Sequence, residues 1–569
     1  MRRIALLLLA GVSAVSRGAA QEPPGTLSGS ALIDHWIRAK WEEAGLAPVA
    51  RADDMEFMRR ASLDIVGVIP PLAEAERFLA EGGADKRQTF VDGLLKDPRY
   101  ATHWADVWSG ILIGLHTDPR ELFLFFKARS ELKAMFEKNL PYDQFARAII
   151  TAKGAVYPQP AAAMEAGVST PAEEGLAVYV YKIFQDAQRD LPKALAGKLT
   201  RTFMGVQIQC AQCHDHPFDK WTQEDFYGMA SFFTEVLPRR TVIPEKTPPA
   251  PGEMKMPRFY FVIEDQAARP FRRGMMGMGP GMGLGTGMDL AIPESKGKPV
   301  KASFIESAKG PEPGVPRRAE FARLMTDPGN LQFARECVNR YWAHFFGAGI
   351  VNPPDDFSGK NKPSHPELLD ALARDLIAHG YDLHWLIRSI AGSEAYGLTS
   401  RARDRSGPPE KLFALARVRA LTPEQILGSV FVATGGAQGP PGAPSMGEEQ
   451  RRRAMFGLLS QFRHAFGDDE GGELVDFSGS IPSALLMMNS PVVTRGTIAR
   501  TGGGLGRLLA SRPGLEERIR AIFLLALTRL PTEGEVARWS GVLRASTGDA
   551  GYEDLFWTLL NTSEFLFNH

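Results

Sequence analysis

Apolar residues recur along most of this chain at the spacing of one helix face, and that rhythm limits the fold more than any other feature. Trp104, Val107, Trp108, Ile111 and Leu112 fall at i, i+3, i+4, i+7 and i+8, the pattern of a helix with one buried side. Helix starts are also marked. Ser364 with Glu367, Thr422 with Gln425 and Thr532 with Glu535 have the spacing of a capping box, and Pro423 stands at a first helical position. Gly347 and Gly380 are placed to end the helices before them.

The rhythm breaks once, over residues 238–316, which are rich in Pro and Gly. Within them Arg258–Ile263 reads as a strand and Val300–Ile305 as a second. Gly274–Met288 is almost wholly Gly and Met; it reads as a flexible loop, with a methionine ligand loop as the sharper alternative. A chain of 569 residues is too long for one core. The expected fold is therefore mainly α, with two helical domains, 28–237 and 317–569, joined by a Pro/Gly-rich connection that carries a small β element. A weaker pattern points to an internal repeat. Asp64–Pro70 leads into a helix through Phe78 and then one with Leu94-Leu95; Leu525–Pro531 leads into a helix through Trp539 and then one with Leu559-Leu560.

Lys plus Arg equals Asp plus Glu, 66 each, so the surface has no overall basic character to recruit nucleic acid or an anionic membrane. Arg451–Arg453 reads as a solvated helix face. Residues 1–20 have the form of a signal peptide: Arg2 and Arg3, an apolar run from Ile4 to Val15, then Gly18-Ala19-Ala20 before Gln21. Later apolar runs fall short of the ~18 residues a spanning helix needs, so no transmembrane segment is expected after signal removal. The expected location is outside the cytoplasm, periplasmic or at the cell surface. Three cysteines are too few for a disulfide scaffold. Cys337 lies on the stripe Phe333-Cys337-Tyr341-Phe345 and reads as a buried small hydrophobe.

The other two form Cys210-Ala-Gln-Cys213-His214, the attachment pattern of a c-type haem. Residues i, i+3 and i+4 of a helical turn share one side. Two thiols so placed can reach two porphyrin vinyl groups, and the His214 imidazole can reach the iron. Covalent attachment holds haem without a deep pocket, and export suits it, because such haems are joined outside the cytoplasm. Two further readings stay open. Cys210, Cys213, His214 and His216, with Asp215 and Asp219, could bind a transition metal such as zinc, through His214 and His216 in particular. The cysteine pair could also be a redox or structural disulfide. If haem binds, Met229, Met204 and His103 are candidates for a sixth ligand; His216 is too near His214 to reach the opposite face. Asp355-Asp356 and Asp468-Asp469-Glu470 read as solvated loops with calcium binding as the alternative. His344 and His384 read as structural. There is no Gly-rich phosphate loop and no nucleophile elbow, so no catalytic residue is named.

The residues from Met55-Glu-Phe-Met-Arg-Arg-Ala-Ser-Leu-Asp-Ile-Val-Gly67 onward, Leu140-Pro-Tyr-Asp-Gln-Phe145, Gln209–Asp219 and Trp221–Tyr227 resemble the planctomycete cytochrome-like domain of unknown function. Val338–Trp342, Phe346-Gly347, Pro354–Phe357 and Ser364–Leu369 resemble the C-terminal domain that usually accompanies it. The resemblance implies a site at Cys210, Cys213 and His214 and names no reaction. Many relatives carry a further cytochrome c domain in front; here any electron transfer is expected to rest on these three residues, with a redox partner or a surface protein as the expected partner. The alternative is a non-enzymatic scaffold in which the same element is a local metal or disulfide clasp.

Overall fold

A computed structural model describes residues 27–114, 119–157, 176–187, 190–242, 259–266, 289–292, 299–401, 410–436, 448–466, 480–501 and 503–569. The signal-like segment, the Gly/Met-rich run and Asp468–Glu470 lie outside them. The described chain is mainly α. The Pro98–Ile113 helix buries Trp104, Trp108 and Leu112, as the apolar spacing requires, and Trp104 stacks on Tyr341 with ring centroids 4.6 Å apart. The Leu331–Phe346 helix ends on Gly347 in the left-handed region, and Cys337 sits wholly inside the core.

Thr422 and Thr532 each form the capping box expected of them. Ser364 does not. Its main-chain N–H and its hydroxyl both donate to the carbonyl of Ile350, which holds it away from the helix that starts at Pro366. The strand expected near 258–263 is present as Phe259–Asp265. It is the centre of a three-stranded antiparallel sheet, between Gly154–Val156 and Val236–Val242. The strand expected at Val300–Ile305 is absent. Its main-chain groups find partners off any ladder, Ser303 N donating to Gly228 O and Phe304 N to Lys309 O, and Glu306 then turns the chain at φ +66°. A two-stranded ribbon pairs Arg419–Ala420 with Phe567–Asn568.

Burial does not stop at the Pro/Gly-rich stretch. One continuous core runs from Leu32 to Ala414. Tyr142 stacks on Phe333 at 5.0 Å, and its hydroxyl donates to Glu336. A second core gathers residues from Leu421 to Phe565 and takes in Leu63 and Ile69 from the N-terminal part. The compositional break is thus a change of local structure rather than a gap in packing.

The suspected repeat has a geometric counterpart. The Asp54–Val66 helix ends on Gly67 at φ +75°, and the Leu515–Leu527 helix ends on Thr528 at φ +56°. Each cap is followed, three residues on, by a proline and then two helices: Leu72–Ala80 and Lys86–Leu95 in one unit, Glu533–Ala545 and Ala550–Leu560 in the other. The units touch where Leu524 packs among Met55, Met58, Ala75 and Phe78. Among the described residues no helix is long and apolar enough to cross a membrane.

Candidate functional site

The Leu191–Met204 helix stops on Gly205 at φ +63°, whose carbonyl accepts from Phe357 N at 2.8 Å. The chain then folds back so closely that a Cβ on Gly197 would lie 2.2 Å from the Gln209 side chain. A short 3₁₀ helix follows, Ile208–Gln212, with Cys213 as its C-cap. In a 3₁₀ helix, side chains at i and i+3 lie one above the other. Ile208 and Ala211 form the inward pair and are buried. Cys210 and Cys213 form the outward pair, and both are exposed free thiols. The thiols therefore share one side, as the motif requires, on a tighter turn than the α-helix their spacing also allows.

The two histidines beyond them differ in what their rings have left to offer. His214 Nδ1 lies 2.7 Å from the carbonyl of Asp215. A carbonyl only accepts, so Nδ1 carries the proton and the lone pair sits on exposed Nε2. At His216 the order is reversed: the main-chain N–H of Phe218 donates to Nδ1 at 3.2 Å, which occupies that lone pair and puts the proton on Nε2. The His216 N–H in turn donates to Trp221 O at 2.7 Å. The carboxylates are similarly engaged in shaping the turn. Asp215 accepts from Gln223 N, and Asp219 from Lys220 N. Thr222 and Asp225 make a capping box that starts the Gln223–Ala230 helix. Those groups, which haem attachment does not need, fix the loop that carries His214.

Around the turn, Phe218 is 61% exposed, with Lys360 Nζ 3.0 Å from its ring centroid. Lys220 lies over the buried Trp221 and pairs with Glu306 at 2.9 Å. Phe218 was visible in the motif; Lys360 was not, because nothing local in a sequence signals a contact across so many residues.

Other candidates take structural places. Met229 and Met204 are buried, and Met229 Sδ accepts from Ile305 N at 3.4 Å. His103 is buried against Trp104 and His344, beneath Gly67. Asp355 is buried rather than solvated and pairs with Arg201, and Asp356 accepts from Ser358 N. His344 Nε2 meets the carbonyl of Asp64 at 2.9 Å, and His384 packs on Tyr100. Among the described residues no three His, Cys, Asp or Glu side chains are grouped so as to hold a metal ion.

Residues 32–237 match the family PSCyt2, described as "Protein of unknown function (DUF1549)", and residues 317–543 match PSD1, "Protein of unknown function (DUF1553)". The chain carries a PSCyt2 domain followed by a PSD1 domain. No curated protein and no solved structure matches the chain. The cysteine turn lies in the PSCyt2 segment, and the PSD1 segment reaches it directly: Lys360 covers Phe218, and Asp355 pairs with Arg201 on the helix that leads into the turn.

Proposed function

We propose that this is an exported protein that carries a c-type haem at Cys210, Cys213 and His214 and works in electron transfer outside the cytoplasm. The observation that carries the reading is the His214 tautomer: Nδ1 is tied to Asp215 O, and Nε2 keeps a free lone pair beside two exposed thiols. The residues fit the group. Cys210 and Cys213 are accessible for thioether formation, and the ring that would face the iron is already in the ligating tautomer. Bound there, haem would supply one-electron exchange. The chain's own part is to hold His214 still through Asp215, to brace the loop through His216 and Trp221, and to offer a partly apolar edge at Phe218.

The test is export in a host that attaches haem covalently. A Soret band that stays with the denatured chain, and that is lost in Cys210→Ser with Cys213→Ser, is the expected result. A purified protein with neither haem absorbance nor added covalent mass would sink the reading.

One observation favours a second reading, a reversible disulfide. Cys210 lies in the 3₁₀ turn and Cys213 caps it three residues on, the spacing that sets two side chains on one side of such a turn. In that case thiol counting on the exported, haem-free protein finds the pair oxidised, and reductant restores two thiols.

A further inference from the structure

A cleft of about 730 Å³ lies away from the cysteine turn and shares no lining residue with it. Its walls come from both copies of the repeated helical unit and from the approach to the Arg419–Ala420 ribbon. Its size falls in the range of about 300–1,000 Å³ typical of small-molecule sites, and a junction between structural units is where such sites tend to lie.

The lining has two characters. Met55, Leu79, Val418 and Leu530 form an apolar surface, and the last three are exposed. At the rim, Arg401 and Asp53 stand side by side without a hydrogen bond. The guanidinium is 3.9 Å from Asp53 Oδ2 and 3.9 Å from Glu56 Oε2. Their side chains are 62% and 58% exposed. Asp53 is held in place through its other oxygen, which accepts from Met55 N and Glu56 N. Arg529, the second guanidinium of the lining, is fully engaged by Glu535 and Glu564. Asp54 is engaged by Lys86 and Arg87, and the His569 ring faces Glu564 at 3.9 Å, so the loosest charges of the lining are the exposed Arg401 guanidinium and the second oxygen of Asp53, an ion pair without a hydrogen bond beside the apolar surface.

We propose that this cleft binds an apolar α-amino acid in its zwitterionic form. Such a molecule carries a carboxylate and an ammonium on one carbon, which matches the adjacent Arg401 and Asp53. A guanidinium can grip a carboxylate by two parallel bonds. The ligand's aliphatic or aromatic side chain covers Leu79, Val418 and Leu530. A ligand with both charges exchanges the loose Arg401–Asp53 ion pair, 3.9 Å apart, for two hydrogen-bonded ones, which a singly charged ligand cannot do.

The experiment is calorimetric titration of the whole chain with L-leucine and L-phenylalanine. The comparison ligands are L-leucine amide, N-acetyl-L-leucine and L-glutamate. One-site saturable binding of leucine or phenylalanine is expected, weaker by at least about tenfold for each of the other three. Arg401→Gln and Leu530→Asp, both at exposed positions, should lose the binding while circular dichroism stays unchanged; Lys362→Gln should keep it. No saturable heat with either amino acid overturns the proposal. So does N-acetyl-L-leucine binding as well as leucine, or Arg401→Gln retaining full affinity. None of these outcomes bears on haem attachment.

Discussion

Cys337 and the Cys210–Cys213 pair are the same side chain in opposite surroundings. Cys337 has no exposed surface, and burial pushes its thiol well above the usual range, with the nearby Glu336 charge adding to the effect. In chain made without haem attachment and kept reduced, a thiol reagent should modify two cysteines quickly and the third only on unfolding. A native count of three, or of none, would contradict the geometry. The burial of Cys337 was legible in the sequence, because a helical stripe marks a core residue; the exposure of Cys210 and Cys213 follows from the 3₁₀ turn, which turns Ile208 and Ala211 inward. The roles of Asp215, Asp219 and His216 were not legible. They depend on which main-chain groups the turn presents, and a metal site and a braced loop use the same residue types. His365 illustrates the same point for pH. Burial, aided by the charge of Lys40, lowers it to about 4. A histidine depressed when folded contributes stability that is present above its ordinary value of 6.5 and lost as pH falls towards 4. The contribution is at most about 3 kcal/mol, from 1.36 kcal/mol per pH unit. Urea midpoints measured between pH 7 and 4 should therefore fall less steeply in His365→Gln than in the natural chain; parallel profiles would remove His365 from the account.

At the scale of elements, the Asp54–Val66 helix organises the molecule. Read alone, DMEFMRRASLDIV has a polar face for water, yet every residue from Met55 to Val66 is buried. Each charge has a distant partner. Arg60 bonds Glu56 and the carbonyls of Tyr396 and Leu398. Asp64 accepts from Arg419, from Tyr396 Oη at 2.8 Å and from Asn568 Nδ2 at 2.7 Å. Arg59, which burial lowers to about 10 and which so stays charged at neutral pH, donates to the carbonyls of Glu564, Phe565 and Phe567. The helix thereby ties the 396–400 segment and the two-stranded ribbon to one centre. Long-range pairing of this kind leaves no local signal in the sequence. Arg59→Met should leave buried carbonyls without donors and cost about 1–3 kcal/mol. Its amide exchange should rise most at residues 564–568. Gly67→Ala should cost at least as much, since the left-handed cap alone costs roughly 1–2 kcal/mol. The added Cβ would also lie 2.4 Å from His103 Nδ1. Denaturant midpoints equal to the natural chain in both variants would refute this assignment.

At the scale of the whole molecule, family matches and burial divide the chain differently. The PSCyt2 segment ends at residue 237 and the PSD1 segment begins at 317, but the core from Leu32 to Ala414 uses both. Tyr142 and Phe203 of the first segment both pack on Phe333 of the second, and Arg340 donates to Thr202 O across the same boundary. Composition could reveal where local structure changes, because Pro and Gly act locally. It could not reveal where packing ends, because apolar faces on either side of a loop do not state their partners. Cutting the chain at the compositional break should therefore expose a core face. Residues 27–242 made alone should keep far-ultraviolet helical signal, lose near-ultraviolet aromatic signal and bind a hydrophobic dye, the marks of secondary structure without fixed packing. Adding residues 299–569 should restore the aromatic signal, because Phe333 and Glu336 again cover Tyr142. A fragment that unfolds alone as cooperatively as the whole chain would show that the first segment closes its own core. The same restoration bears on the cysteine turn, since Lys360 over Phe218 and Asp355 on Arg201 both come from the second segment. Thiol accessibility at Cys210 and Cys213 should then be unchanged between fragment and complex, as their exposure is set by the 3₁₀ turn, while the mobility of Phe218 should drop on complex formation.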